Sequence, residues 1–328
     1  MAEIFREGLT DDEKFSLPLL AYYPVERTIL DIPLKIRTRH SFGQLDGLDG
    51  SLQQGVDFRR FFEWFRARED SESEVRSRGI TDALFDLVRE NKLNKNDVLE
   101  LLRTSLRESQ LNAVRRAINI FMPGFENLRI ERRPKLRMMM DKDGISLNVD
   151  QLSQGEKSLI ALVGSIASRL SMMNPKLPDP LEGRGIVMID EVDLHLHPRW
   201  QVSIIERLRT AFPNCQFILT THSPLVVSNA QNILTYMLDN GEIHKADNLY
   251  GMDVNQVLLQ EMSVAIRNRE VQDALDDILD LIHDRDFSAA HDRILDLEKI
   301  LPDNNWELNK IKILLLRKEA QFCHLSGV

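Results

Sequence analysis

Two apolar segments near the middle of the chain each end in chemically active side chains. Gly185-Ile-Val-Met-Ile189 is followed directly by Asp190 and Glu191, and Phe217-Ile-Leu-Thr-Thr221 is followed by His222. A helical pattern separates the two segments. Alternating buried strands and helices predict a parallel, layered α/β core. Because the carboxyl ends of parallel strands face the ligand crevice of such a sheet, we expect both acids to reach a bound phosphate.

The acid pair and the histidine each have two interpretations. In the functional one, Asp190 holds Mg²⁺, because hard cations prefer oxygen ligands, and Glu191 polarises the water that attacks a γ-phosphate. His222 then contacts that γ-phosphate and senses its loss. In the simpler one, the acids form an ordinary acidic turn and the histidine bonds to a neighbouring loop. Taken alone, each position favours the simpler interpretation.

His195 and His197 suggest a different kind of metal site, because two histidines at alternate positions can bind the same metal ion. A structural zinc site takes four ligands, and only these two histidines lie near each other in sequence. We therefore do not expect a zinc site here.

A third segment, Ser153-Gln-Gly-Glu156, precedes a helix predicted over 155–173. A capping box accounts for Ser153 and Glu156. It does not account for Gly155, since glycine weakens a helix near its start. A glycine there lets the backbone approach a phosphate at the positive end of the helix. The interpretation that follows assigns Ser153, Gln154, Gly155 and Glu156 to nucleotide binding.

The phosphate loop G-x-x-x-x-G-K-[ST] occurs nowhere in the 328 residues. Gly155-Glu-Lys-Ser158 imitates the end of that loop, but Asp150 stands where its first glycine belongs. No strand leads into a wrapped loop at this place either, so we reject it as a phosphate loop. We expect the 328-residue chain to hydrolyse ATP poorly or not at all.

The amino-acid composition limits which class of protein this chain can belong to. Hydrophobic residues make up 43% and charged residues 28% of the chain, as in ordinary globular domains. The sequence holds two cysteines, no apolar run long enough to cross a bilayer and no apolar signal core, so we expect a cytoplasmic protein and no membrane. The net charge of −9 excludes a surface that is basic throughout, but not a local basic patch.

Other segments show clear periodicity. Phe58, Phe61, Phe62 and Phe65 predict an amphipathic helix after the cap candidate Asp57. The remaining predicted elements are a buried strand at 17–23, helices near 81–91 and 96–121, a strand, turn and strand over 137–149 with Asp143-Gly144 at the turn, strands at 215–220 and 232–238, and helices from about 254 onward.

The strongest basic cluster in the sequence has two interpretations: it binds DNA, or its side chains are only solvated at the surface. Its members are Arg129, Arg132, Arg133, Lys135 and Arg137. They could meet DNA phosphates, or they could be the solvated arginines of an exposed hairpin, which we slightly favour.

In their order and spacing, these segments resemble the ABC-type ATPases of the SMC, RecF and overcoming-lysogenisation group. Gln151-Leu-Ser-Gln-Gly-Glu156 is similar to the signature motif, Ile186–Glu191 to the Walker B strand, and His222 to the switch histidine. Asp193-Leu-His-Leu-His-Pro198 resembles the D-loop of the RecF-like branch. The whole looks like the small ATPases of anti-phage modules, including the subunit of Septu-type and retron-linked systems that acts with an HNH nuclease.

The resemblance implies a fold and a mechanism. It implies a P-loop NTPase-like layered core with a helical insertion and an all-helical C-terminal tail. It implies ATP and Mg²⁺ as cofactors, with Asp190 on the metal, Glu191 as base and His222 as sensor. It further implies a head-to-tail homodimer or higher oligomer in which Ser153 and Gly155 of one subunit close over the γ-phosphate held by the other.

The chain departs from the family pattern in one main respect. The phosphate loop and the glutamine loop would precede the segment at 17–23, and neither is present in the sequence. The expectation is that residue 1 is not the natural start. The family's long coiled-coil arm is also absent, and compact helices over 57–121 stand in its place.

These observations predict four parts and leave more than one function open. The parts are the remainder of ATPase lobe I at 1–56, a helical insertion at 57–125, the ATPase core at 126–250 and a C-terminal helical region at 251–328. The preferred function is an ATPase whose dimerisation gates a partner in phage defence, and the expected partner is an HNH nuclease. The alternatives are a non-hydrolysing scaffold and a RecF/SMC-like DNA repair ATPase.

Overall fold

The computed structural model describes residues 15–25, 42–52, 58–89, 110–239, 241–246, 248–262 and 264–325, with residues 5, 8, 10 and 11; at 74–89 and 323–325 it describes the backbone alone. The chain divides into two compact units. The first is formed within 1–235 and 247–251, and the second within 236–246 and 252–328.

A three-stranded parallel sheet lies in the first unit. Its strands are β1 (Leu19–Tyr23), β5 (Gly185–Ile189) and β6 (Cys215–Leu219), in the order β1-β5-β6. The register pairs Tyr23 with Ile189 and Ile189 with Leu219, so all three strands end at one edge. The predicted parallel α/β core and its three strands are confirmed.

The sheet is buried on one face only. Leu19, Ala21 and Tyr23 are at most 1% exposed, whereas Leu20, on the opposite face of β1, is 39% exposed. Ile218 of β6 is 51% exposed. The strand predicted as buried at 17–23 therefore alternates, because neighbouring side chains of a strand point to opposite faces.

The remaining elements of the first unit precede and connect these strands. They are α1 (Phe58–Arg89), α2 (Gln110–Phe121), β2 (Phe125–Glu131), β3 (Arg137–Lys142), β4 (Ile145–Asn148), α3 (Gln154–Met173), α4 (Pro198–Gln201), α5 (Ile204–Ala211) and α6 (Pro224–Ser228).

Helix α3 is the centre of the hydrophobic core. It is buried on almost every side and packs against α1, α2 and β1, as expected for a helix that is apolar all round. Phe58, Phe61, Phe62 and Phe65 of α1 are all buried, which confirms the predicted apolar face. A side chain at Gly164 of α3 would overlap the ring of Phe61, so the close approach of the two helices requires glycine there.

An antiparallel sheet, β2-β3-β4, leads into α3. The predicted strand, turn and strand are confirmed, with Asp143 and Gly144 at φ 50° and 81° between β3 and β4. Two consecutive positive φ angles are what a two-residue hairpin turn requires. Helix α3 ends at Met173, before Pro175, as predicted.

The second unit is a hairpin and a set of helices. Its elements are β7 (Tyr236–Asp239), β8 (Glu242–Lys245), α7 (Val254–Gln256), a π-turn (Val257–Glu261), α8 (Arg269–His283), α9 (Phe287–Glu298) and α10 (Trp306–Leu325). Helices α8, α9 and α10 share their own apolar core. The predicted all-helical C-terminal region from about 254 is confirmed.

Several boundaries differ from the predictions. Residues 81–89 continue α1 instead of forming a separate helix, and α2 is described only from Gln110, so the helix start predicted at Asn96 lies outside the described residues. The helix predicted near Pro198 is split into α4 and α5. Strand β7 begins at Tyr236, not at 232, and β8 was missed because its side chains are exposed on both faces.

The helices that the structure describes differ from membrane-spanning helices. None of them combines the length and the apolar content that crossing a bilayer needs.

Candidate functional site

The acid pair lies at the carboxyl end of β5, the middle strand of the parallel sheet. The N–H of Asp190 donates to the oxygen of Tyr23 at 2.8 Å, which extends the pairing of β5 with β1 by one residue. Asp190 and Glu191 are both half-buried. The backbone of the sheet therefore fixes where both carboxylates leave the strand, at the edge where such sheets bind ligands.

Thr220 connects the acid pair to the neighbouring strand β6. Its hydroxyl donates to Oδ1 of Asp190 and accepts the N–H of Glu191 at 2.8 Å. The two strand ends are thus cross-linked by a side chain as well as by the backbone. Sequence reasoning had treated Thr220 only as the end of a strand, since a side-chain partner on another strand leaves no local signal.

The Asp190 carboxylate suits a hard cation. Oδ1 receives the Thr220 hydroxyl, whereas Oδ2 makes no hydrogen bond or ion pair with any residue that the structure describes. An oxygen left open in this way is the donor that Mg²⁺ prefers. Nowhere in the described part of the chain do three His, Cys, Asp or Glu side chains gather around one point. One carboxylate is nevertheless enough for Mg²⁺, which usually keeps several waters and takes substrate phosphates as further ligands.

Glu191 has an unusual backbone. Its φ is 43°, in the left-handed region that costs a non-glycine residue about 1 kcal/mol. Three backbone hydrogen bonds hold the turn: Asp190 to β1, Val192 N–H to Thr220 oxygen at 2.9 Å, and Leu194 N–H to Glu191 oxygen at 3.0 Å. The chain therefore turns sharply at the position predicted to carry the base.

His222 is exposed on the loop between β6 and α6. The loop is fixed on either side of it, because the Thr221 hydroxyl donates to Oδ1 of Asp193 and accepts the N–H of Ser223 at 3.0 Å. The histidine thus follows the strand next to the acid pair, and its ring is open to solvent. The structure brings Asp190, Glu191 and the backbone of His222 to one edge of the sheet.

The first turn of α3 forms the predicted capping box. Ser153 Oγ accepts the N–H of Glu156 at 3.3 Å, and Glu156 Oε2 accepts the N–H of Ser153 at 2.8 Å. Ser153 and Gln154 are exposed. The capping function of Ser153 is established by these contacts, and its exposed position keeps it available for a ligand.

Glu156 differs from its neighbours because its side chain is used within the fold. It is 8% exposed, and Oε1 accepts a hydrogen bond from Lys142 Nζ of β3 at 2.7 Å. Partial burial raises the pKa of Glu156, but the hydrogen bonds from Lys142 and the Ser153 N–H outweigh it, so the pKa lies below its ordinary value. Its carboxylate is therefore charged and joins α3 to the hairpin.

Gly155 faces the backbone of the loop that follows the acid pair. A Cβ at this position would overlap the carbonyl oxygen of His195. The glycine predicted to admit a phosphate is thus required, within this chain, for the approach of residues 193–197 to the tip of α3. This loop, called here the 193–197 loop, follows the predicted Walker B segment in sequence. It contacts the predicted signature segment at Gly155.

The two histidines of the 193–197 loop have separate surroundings. His197 caps α4, with Nδ1 accepting the N–H of Arg199 at 3.2 Å. His195 lies in the left-handed region, at φ 62°, and is exposed. Gln201 supports the loop by donating to the oxygen of Leu196 at 3.0 Å.

The basic cluster on β2 and β3 is largely paired. Arg129 contacts Asp141 at 2.9 Å, Arg132 contacts Asp70 and Glu69, and Arg137 lies 3.8 Å from Glu131. Only Arg133 and Lys135 are exposed and form no ion pair with any part of the chain that the structure describes. The cluster therefore presents far less free positive charge than its sequence suggests.

A comparison with protein families matches residues 11–228 to the family described as "AAA domain, putative AbiEii toxin, Type IV TA system". The matched range contains the α3 tip, the acid pair and His222. It confirms the P-loop NTPase-like fold class predicted from the motifs.

Curated relatives include two retron proteins. The chain is 37% identical over 244 residues to the retron Vc95 probable ATPase of Vibrio cholerae serotype O1 biovar El Tor, covering 68% of this chain and 48% of that protein. It is 35% identical over 281 residues to the retron Ec83 probable ATPase of Escherichia coli, covering 75% and 52%. The chain thus spans about half the length of these relatives.

A third relative and one solved structure complete the comparison. The Septu protein PtuA of Bacillus mycoides (strain KBAB4) is 46% identical over 77 residues, covering 24% of this chain and 10% of that protein. The predicted resemblance to retron-linked and Septu-type ATPases is confirmed. An SMC ATPase, solved in work on ATP-driven dimerization and DNA-stimulated activation, is 17% identical with a TM-score of 0.35, over 51% of this chain and 98% of that one.

Proposed function

The chain belongs to the family described as "AAA domain, putative AbiEii toxin, Type IV TA system", and on this premise we propose that it is the ATPase subunit of a bacterial anti-phage defence system. The retron and Septu relatives support this role. One observation carries the catalytic part of the proposal: the acid pair and the Thr-Thr-His segment leave adjacent parallel strands at the same edge and are bonded to each other through Thr220.

The proposed cofactors are ATP and Mg²⁺. Asp190 would hold the cation through its open oxygen, directly or through water, and the bound cation would supply charge neutralisation at the phosphates. Glu191 orients and polarises the attacking water, and the exposed ring of His222 contacts the γ-phosphate.

We assign ATP-dependent dimerisation to the tip of α3. The positive end of a long helix attracts phosphate, and Ser153 and Gln154 are exposed on it. In the proposed head-to-tail dimer, this tip closes over the γ-phosphate held at the acid pair of the second copy. Glu156 contributes indirectly, by holding Ser153 in its capped conformation.

The partner of the proposed dimer is a nuclease of the HNH type in the cytoplasm, which the dimer gates. The rival function is a non-hydrolysing scaffold, in which the fold serves only as an assembly platform. The intact Asp190-Glu191 pair favours hydrolysis, because a pure scaffold needs no acid pair.

The test uses the protein expressed from its native locus together with the neighbouring genes. We expect the locus to lower the plating efficiency of phage in Escherichia coli and Glu191→Gln to abolish that protection. In sedimentation velocity with Mg-ATP, Glu191→Gln should accumulate a dimer that the wild type forms only transiently. Protection that survives both Asp190→Asn and Glu191→Gln would favour the scaffold and reject the ATPase.

A further inference from the structure

We propose that Thr220 is a positioning residue, whose hydroxyl sets the orientation of the Asp190 carboxylate toward a divalent cation. This inference rests on the proposed function of the acid pair. It concerns a residue that no motif assigns to chemistry.

All four hydrogen bonds of Thr220 go to one short segment, residues 189–192. Its N–H donates to the oxygen of Ile189 at 3.0 Å, and its oxygen accepts the N–H of Val192 at 2.9 Å. Its hydroxyl accepts the N–H of Glu191 at 2.8 Å and donates to Oδ1 of Asp190. Thr220 therefore forms hydrogen bonds with both acids and with the residue on either side of the pair.

The direction of these bonds follows from the hydroxyl itself. A threonine hydroxyl has one proton and two lone pairs. The Glu191 N–H can only donate, so it takes a lone pair, and the single proton is left for the carboxylate. Asp190 Oδ1 therefore accepts the hydrogen bond from Thr220, and Oδ2 is the oxygen that is open to the cation.

The same hydroxyl also supports the strained backbone. Glu191 is in the left-handed region, and its N–H finds its acceptor on Thr220. Loss of the hydroxyl frees the Asp190 side chain to rotate and removes the acceptor of the Glu191 N–H. Partners that orient a metal ligand in this way typically contribute about 10- to 100-fold to metal affinity.

Three variants separate the hydroxyl from the rest of the side chain. Thr220→Val keeps the branched shape and removes the hydroxyl, and Thr220→Ser restores the hydroxyl without the methyl group. Thr210→Val is the matched control, because Thr210 is an exposed residue of α5 whose hydroxyl donates to the oxygen of Glu206 within the same helix. Should Thr220→Val not fold, as judged by its melting curve against Thr210→Val, Thr220→Ala replaces it.

The primary measurement is Mn²⁺ binding to EDTA-treated protein from the native locus, followed by electron paramagnetic resonance in the presence of a non-hydrolysable ATP analogue that supplies the phosphate ligands. We expect Asp190→Asn to abolish binding and Thr220→Val to weaken it by about tenfold or more, with Thr220→Ser within about twofold of the wild type. Thr210→Val should bind as the wild type does. Equal Mn²⁺ affinity for Thr220→Val and the wild type, or no binding by the wild type, overturns the inference.

A second readout separates this inference from the proposed function. Thr220→Val should raise the Mg²⁺ concentration needed for half-maximal ATP turnover and leave the KM for ATP at saturating Mg²⁺ unchanged. Wild-type protein that binds Mn²⁺ in a Thr220-dependent way without hydrolysing ATP would reject the function and support the inference. Turnover that is indifferent to Thr220→Val would support the function and reject the inference.

Discussion

The carbonyl oxygen of His195 occupies the space that a side chain at Gly155 would need. The tip of α3 and the loop after the acid pair are therefore in direct backbone contact. In the proposed head-to-tail dimer, the tip of α3 and the acid pair of one copy would serve two different nucleotides. We therefore expect a movement of the α3 tip to displace the loop after the acid pair, and the reverse.

Gly155→Ala should destabilise the first unit by about 1–3 kcal/mol, because the added methyl group meets backbone that cannot rotate away. The measurement is chemical denaturation monitored by circular dichroism. Gly43→Ala is the control, since its Cβ would have only an ordinary contact, 3.6 Å from Asp46 Oδ2. Equal stability of the two variants would show that the 193–197 loop can move away from α3.

Ser153 can be tested so that capping and phosphate binding are separated. Asp caps helices as well as Ser, so Ser153→Asp should leave stability within about 0.5 kcal/mol, whereas Ser153→Ala should cost about 1 kcal/mol. In ATP-dependent dimerisation, Ser153→Asp should be the more harmful of the two variants. Its added negative charge would repel the triphosphate, so it should abolish dimerisation. Sedimentation velocity of the two variants with Mg-ATP decides this, and a dimer formed by Ser153→Asp would remove α3 from the proposed site.

The Lys142–Glu156 pair should make stability depend on acidity. The folded pKa of Glu156 lies below its usual 4.5, so its stabilisation is complete above that value and is lost as pH falls through the folded pKa. Lys142→Met keeps the apolar stem and should cost about 1 kcal/mol at pH 7. Unfolding curves between pH 7 and pH 3 should converge for Lys142→Met and wild type at the acid end. Parallel curves would contradict this assignment.

Cys215 should be an unreactive thiol in the native state. Burial raises its pKa from 9.0 to about 12, so at pH 8 about one thiol in ten thousand is ionised. In a Cys323→Ser background, alkylation at pH 8 should be about a thousandfold slower than in denaturant. The folded thiol also stabilises the protein below pH 9, and this stabilisation is lost as pH rises toward 12. Fast native alkylation would show that β6 opens locally.

Binding of duplex DNA, if it occurs at the β2–β3 hairpin, should depend weakly on salt. Each neutralised phosphate contributes about 0.9 to the slope of log K against log salt, so Arg133 and Lys135 give about −2, whereas all five cations would give about −4.5. Arg133→Ala with Lys135→Ala should abolish binding, and Arg317→Ala with Lys318→Ala is the matched control. Fluorescence anisotropy across a salt series measures the slope, and a steep slope would indicate another surface.

The sequence predicted the parts of this fold whose signals are local. The apolar strand before Asp190, the capping box at Ser153 and the Asp143-Gly144 turn each depend on a few adjacent residues, and all three are present in the structure. The first two also carry the resemblance that the retron relatives confirm. The four-part division of the chain stays a prediction.

Contacts between distant segments could not be predicted in this way. The bonds of Thr220 to Asp190 and of Lys142 to Glu156 join residues that only the tertiary fold brings together. The pairing of Arg132 with Asp70 likewise lowers the free positive charge of a cluster that is basic in sequence. The approach of Gly155 to His195 likewise joins residues forty positions apart, and the nucleotide-binding role of Gly155 stays a prediction.

The left-handed backbone at Glu191 has an evolutionary meaning. Glycine would occupy that φ of 43° without strain, so a lineage selected for robustness alone would drift toward Glu191→Gly. If Glu191 is the base, as proposed, its carboxylate would be retained there at a cost in thermal tolerance. A screen of this gene for heat resistance should recover replacements at position 191 that melt later and no longer protect the cell.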